Sequence, residues 1–190
     1  WVEYNRSDVT KLEAPKKSGN NLILTHDVTR SNENMESLYF GGVYKIAETL
    51  GDVSDFTLTL TYRVLDSRDD SRWIGVMYHT QETLDGKLSG YLMNYRVNGK
   101  SAASIVQNTP KYNDFNIVES TGIAHDKTTF ITLKIVVNGN TATHYVNNQF
   151  ITSYNFEDKT DLLQVQKSGG FALVVNISKV EIKDLSITGT

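Results

Sequence analysis

The chain contains no cysteine. That excludes a disulfide framework and any thiolate metal site. It also lacks a basic block: 19 Lys and Arg stand against 22 Asp and Glu, for a formal net charge of −3. The electrostatic footprint of a nucleic-acid-binding protein is therefore missing, and no nucleic-acid partner is expected. No apolar run approaches the roughly 18 residues of a membrane span. There is no phosphate-cradling loop, no nucleophile elbow and no His-Glu-x-x-His pair. His26, His79, His125 and His144 are scattered without metal-ligand spacing. Acid–base glycoside cleavage needs two carboxylates about 5–9.5 Å apart. The glutamates fall mostly in loops or at strand ends, so no catalytic residue is assigned. No leader pattern opens the chain, which starts at Trp1. The expectation is a mature protein or a piece of a longer one.

What remains is a chain of 190 residues, 39% hydrophobic and 22% charged. The length suits one domain spanning residues 1–190, with 1–20 a loosely ordered extension. From Phe56 to Leu65, apolar residues alternate with Thr57, Thr59, Thr61 and Arg63, which is the period of a half-buried strand. Ile131, Leu133, Ile135 and Val137 repeat that pattern. Asn98-Gly99 and Asn138-Gly139 mark hairpin turns, because both residue types tolerate positive φ. Gly41-Gly42 reads as a bulge, a close backbone approach or a simple loop. The break between Ile182 and Leu185 suggests a bulge at Lys183-Asp184. A first strand is expected at residues 21–28 and one short helix within 157–167. Roughly a dozen short strands with almost no helical period make an all-β sandwich or barrel.

The segment from Arg72 to Gly99 stands out. In its first strand Ile74, Val76 and Tyr78 form one row, and Trp73, Met77 and His79 the other. In its second strand the rows are Tyr91, Met93, Tyr95 and Leu92, Asn94, Arg96. One row should face the core. The other mixes Trp73, His79, Asn94 and Arg96 and reads as a contact surface. Sugars are held by aromatic faces against C–H patches and by polar groups on hydroxyls. These four residues, with Asp70 and Arg72 in the charged turn beside Trp73, are the candidate ligand-binding set. Ser104 and Thr132 or Lys134 join if they share the sheet. The alternative places Trp73 in the core and the polar residues against plain solvent. His144 reads as a half-buried sheet residue.

Several motifs follow a familiar order. A strand opens at Asp55-Phe56, and W-x-G-x-x-Y runs from Trp73 to Tyr78. Then come Gly90-Tyr91, the paired run FITLKIVVNGNTATHYVNNQFI, Gly-Gly-Phe-Ala-Leu, and a closing V-x-I-x-D-L-x-I. Together they resemble the laminin G-like, concanavalin A-like jelly roll attached to secreted bacterial glycoside hydrolases. Within it the chain is similar to carbohydrate-binding modules of family 66. It is also similar to accessory domains of endo-α-N-acetylgalactosaminidases and to 3-keto-disaccharide hydrolase domains. The last group usually has an Arg and a Glu where this chain has His79 and Leu92.

The resemblance implies a jelly-roll sandwich of two antiparallel sheets. It implies a non-catalytic carbohydrate-binding module that targets a secreted or cell-wall-attached glycoside hydrolase or adhesin to a glycan. The location would be secreted or cell-surface, in a Gram-positive bacterium, with other domains alongside. The alternatives are a glycoside or keto-disaccharide hydrolase domain, and a structural or protein-binding spacer. Jelly rolls of this kind also often hold a structural calcium, for which Asp52, Asp55 and Asp184 are the candidates.

Overall fold

A computed structural model describes residues 2–4, 12–26, 41–46, 53–159 and 166–189. They build two antiparallel sheets of seven strands each, numbered in chain order. The first sheet runs β1 (Val2–Tyr4), β4 (Gly42–Lys45), β13 (Gly170–Val175), β6 (Trp73–Glu82), β7 (Leu88–Arg96), β8 (Ser101–Val106), β9 (Tyr112–Val118). The second runs β12 (Gln149–Asn155), β11 (Thr141–Val146), β10 (Ile131–Asn138), β5 (Phe56–Ser67), β14 (Ser178–Gly189), β3 (Asn21–His26), β2 (Leu12–Ser18). This is an all-β sandwich, as the alternation implied, in the jelly-roll form that the resemblance implied.

The second sheet follows the two-period rule closely. Phe56, Leu58, Leu60 and Tyr62 of β5 are fully buried, as are Leu133 and Ile135 of β10. They meet Ile74, Val76 and Tyr78 of β6 and Tyr91, Met93 and Tyr95 of β7 in one core between the sheets. Burying such apolar surface stabilises the fold at about 25 cal/mol per Å². The expected core rows of the central hairpin are thus the actual ones.

The register slips between Ile182 and Asp184 of β14, so the bulge expected at Lys183-Asp184 is present. Gly41 is a close approach: it has φ of +95°, and a Cβ there would stand 2.4 Å from the Val175 carbonyl oxygen. Of the expected loosely ordered extension at residues 1–20, residues 1 and 5–11 lie outside the described residues. Residues 12–18 pair with β3 as an edge strand, with a register shift between Glu13 and Lys16. An irregular edge is where a sheet tolerates Pro15. A 3-10 turn, Phe156–Lys159, overlaps the start of the segment 157–167 where a short helix was expected, and residues 160–165 lie outside the described residues.

The first sheet departs from the simple sandwich. Eight consecutive residues of β6, Trp73 to Thr80, are buried, as are all six of β8. Its far face carries a second apolar cluster of Val43, Trp73, Met77, Leu88, Leu92, Val106, Ala172 and Val174. Trp73 does lie on the face away from the main core, but it is only 4% exposed. The open aromatic platform expected there is instead a buried face with a polar margin.

Candidate functional site

That margin lies where the turn before β6 meets the far end of β7 and the start of β9. There the surface sinks into a depression of about 160 Å³, lined among the described residues by Ser71, Arg72, Trp73, Arg96, Tyr112 and Asn176. Trp73 pairs directly with Arg96 across the β6–β7 register. Val106 and Tyr112 pair across β8 and β9, which brings the phenol ring to the same face. The indole and phenol centroids are 6.0 Å apart, tilted by 59°. The indole packs over residue 75, which is glycine: a Cβ there would be 3.0 Å from Trp73 Cζ3 and 2.6 Å from Leu92 Cδ1.

Two arginines share the lining with these rings. Arg72 is fixed by its own turn. Its Nε donates to Asp69 Oδ1 at 3.0 Å, and its Nη2 donates to Ser71 Oγ at 2.7 Å. Burial pushes the Asp69 carboxyl up, but hydrogen bonds from Ser71 and Arg72 outweigh it and hold the group below its ordinary value. Arg96 is held more loosely, with Nη2 3.6 Å from Asp114 Oδ2. That is an ion pair beyond hydrogen-bond length. Its Nε is buried and has no partner among the described residues.

Asp114 is oriented from below. Its Oδ1 accepts from Ser104 Oγ at 2.6 Å and from Asn94 Nδ2 at 3.1 Å. Asn94, 1% exposed, also donates to Ser104 Oγ at 3.0 Å. Asn94 therefore supports the site from beneath and does not line it.

Three of the six candidate residues, Arg72, Trp73 and Arg96, line one depression. Asp70 stays in the exposed turn, where its carbonyl accepts from Asn98 N. His79 is corrected outright. The β6–β7 register shifts between Tyr78 and Gln81, and His79 takes φ of +49°. One bulged residue exchanges the faces of a strand. The His79 ring turns in beside Phe56 and Phe156, and its nitrogens stand 3.0 Å from the Gln166 carbonyl oxygen and 2.8 Å from that of Ser54. Burial lowers its pKa, against the raising effect of those two carbonyls.

Ser104 shares the sheet as anticipated, whereas Thr132 and Lys134 belong to the other sheet. His144 is fully buried, not half-buried, with Nε2 2.9 Å from Tyr78 Oη. Of the calcium candidates, Asp52 lies outside the described residues. Asp55 Oδ1 accepts from Gly139 N, and Asp184 pairs with Thr61. Among the described residues no group of three or more His, Asp or Glu gathers in metal-binding geometry. Sequence reasoning missed Tyr112, Ser71 and Asn176. Tyr112 carried a signal, as an aromatic residue just after Pro110 in a polar connection.

A sequence model for the 3-keto-alpha-glucoside-1,2-lyase-like domain matches residues 12–188. The chain belongs to this family. No curated protein matches the sequence. Among solved structures, a family-66 carbohydrate-binding module from Bacillus subtilis superposes with a TM-score of 0.69 at 14% identity, covering 100% of this chain and 95% of that one. A protein described as a glycosyl hydrolase of Parabacteroides distasonis gives 0.63 at 11% identity, covering 94% and 84%. Alginate lyase A1-II′, a polysaccharide lyase of family 7, gives 0.62 at 12% identity, covering 98% and 85%. At these identities the likeness is one of fold.

Proposed function

We propose that this domain binds a carbohydrate without transforming it, and that it anchors a glycoside-acting enzyme or adhesin to a glycan outside the cell. The carrying observation is the depression itself, which Trp73 and Tyr112 line together with Arg72 and Arg96. Aromatic carbon covers the C–H face of a sugar ring, and the N–H donors reach its hydroxyls. Such a site raises the local concentration of whatever is joined to it. The fold shared with a carbohydrate-binding module supports this reading.

The family description and the lyase neighbour favour a second reading, catalysis on a glycoside. Two features weigh against it. His79 is turned inside and Leu92 is part of the second apolar cluster, so neither position offers a charged group. Asp69, beside the depression, has a lowered pKa, whereas a general acid at neutral pH needs a raised one.

Calorimetric titration against a panel of neutral and charged oligosaccharides tests the proposal, with Arg96→Gln and Tyr112→Ala as controls. Binding lost in both variants is the expected result. Silence across the panel overturns it, and turnover of any panel member establishes the second reading.

A further inference from the structure

The described lining of the depression contains two arginines and no carboxylate. Neither acid that pairs with those arginines is among the described lining residues, although Asp69 is exposed in the adjoining turn. Asp69 is engaged by Ser71 and Arg72. Asp114 turns one oxygen to Ser104 and Asn94 and the other towards Arg96. The surface that a ligand meets is therefore cationic, although the surrounding cluster is balanced.

The two guanidinium groups are also unequally satisfied. Arg72 is held by hydrogen bonds on Nε and Nη2. Arg96 has only the 3.6 Å approach to Asp114, and its buried Nε lacks an acceptor among the described residues. The Arg96 side chain is 24% exposed while its Nε is buried, so its terminal nitrogens are the part that a ligand can reach. A guanidinium edge offers two parallel N–H groups, a spacing that matches the oxygens of a carboxylate or a sulfate ester. The depression, at about 160 Å³, is smaller than the roughly 300–1,000 Å³ that encloses a whole drug-sized ligand. It suits one charged substituent and part of its ring, with the rest of the chain lying outside.

We infer that the ligand is an anionic sugar, whose carboxylate or sulfate group meets Arg96, with Arg72 in the same lining, while its ring lies against Trp73 and Tyr112. This rests on the carbohydrate-binding reading and names the ligand class for the same site. Arg72, pre-positioned by Asp69 and Ser71, supplies charge at a fixed place. Arg96, whose 3.6 Å approach to Asp114 is beyond hydrogen-bond length, supplies N–H donors from its terminal nitrogens.

Matched pairs of probes test it. Trigalacturonic and triguluronic acids are titrated against their methyl esters, and a sulfated carrageenan tetrasaccharide against its desulfated form. At least one acidic member should bind about tenfold or more tightly than its neutral partner, the size expected of a charge-assisted hydrogen bond. Which pair shows the gap distinguishes carboxylate from sulfate. The gap should close in Arg96→Gln and persist in part in Arg96→Lys, which keeps the charge and loses the fork. The Arg96 Nε–H resonance of the unmodified protein should shift on titration, a readout independent of how the variants fold. Equal affinity within every pair, or a gap that survives Arg96→Gln, overturns the inference. Binding of neutral glycans with silence from every acid overturns it and leaves the carbohydrate reading intact. Silence from all probes overturns both.

Discussion

Arg96 and Asp114 face one another from β7 and β9 at 3.6 Å, across the intervening strand β8. The carboxylate is anchored by Ser104 and Asn94, while the guanidinium makes no hydrogen bond among the described residues. Asp114 thus competes for the very group that a ligand would use. Asp114→Asn retains an oxygen for Ser104 and Asn94 and removes the competing charge. It should raise affinity for an acidic trisaccharide several-fold, leave its methyl ester unchanged, and alter stability by no more than about 1 kcal/mol. Paired calorimetric and thermal-unfolding measurements check this, and a fall in affinity for the acid would contradict it.

The indole of Trp73 packs over Gly75. A methyl group there meets Leu92 Cδ1 at 2.6 Å, Trp73 Cζ3 at 3.0 Å and the Met93 carbonyl oxygen at 3.1 Å. Gly75→Ala should cost about 1–3 kcal/mol as an overpacked site. It should also shift the tryptophan emission spectrum and weaken ligand binding. Unchanged fluorescence would show that the ring is held by something else.

Trp73→Ala is expected to act mainly on stability. The side chain is nearly fully buried in the second apolar cluster, where truncating a large aromatic costs about 3–5 kcal/mol. Urea denaturation should therefore show a lower midpoint, and any loss of binding has to be read at temperatures where the variant is folded. Tyr112→Ala removes a half-buried ring and should cost less, which makes it the cleaner binding probe.

His144 sets an acid limit. Burial holds its pKa down to about 3, from an ordinary 6.5. The unfolded chain therefore binds a proton that the folded chain refuses. Its contribution to stability is fully present above pH 6.5 and is lost as pH falls from there towards 3. The whole interval corresponds to at most about 5 kcal/mol. Burial lowers His79 and His125 in the same direction. His144→Phe should be less stable at pH 7, having lost its contact with Tyr78, yet show a flatter decline between pH 6.5 and 4 in chemical denaturation. An equally steep decline would shift the acid sensitivity onto other groups.

The parts of this fold that could be read from sequence are those with one wet face. Phe56 to Tyr62 and Ile131 to Val137 alternate because β5 and β10 each bury every second side chain. Strands β6, β7 and β8 are buried on both faces, so alternation carries no information there, and Trp73 looked like a platform residue. His79 illustrates a second limit. Its parity with Trp73 is correct on paper, and a bulge with no signature of its own reverses it. β2 escaped notice because an edge strand with an irregular register tolerates Pro15 and lysines that read as a loop. Of the residues lining the depression, Arg72, Trp73 and Arg96 were legible in the sequence, because they lie within one hairpin and its preceding turn. Tyr112 and Asn176 depend on strand pairings that only the assembled sheet supplies.

The four strands β6 to β9 run next to one another in chain order. Every described lining residue except Asn176 falls between Ser71 and Tyr112. On the proposed reading, recognition falls to a contiguous cassette, and no described residue of the other sheet lines the depression. Such an arrangement lets point changes in one short stretch of gene retune what is bound without renegotiating the rest of the core. Grafting residues 69–114 between relatives, with position 176 carried along, is the corresponding route to altered specificity by design.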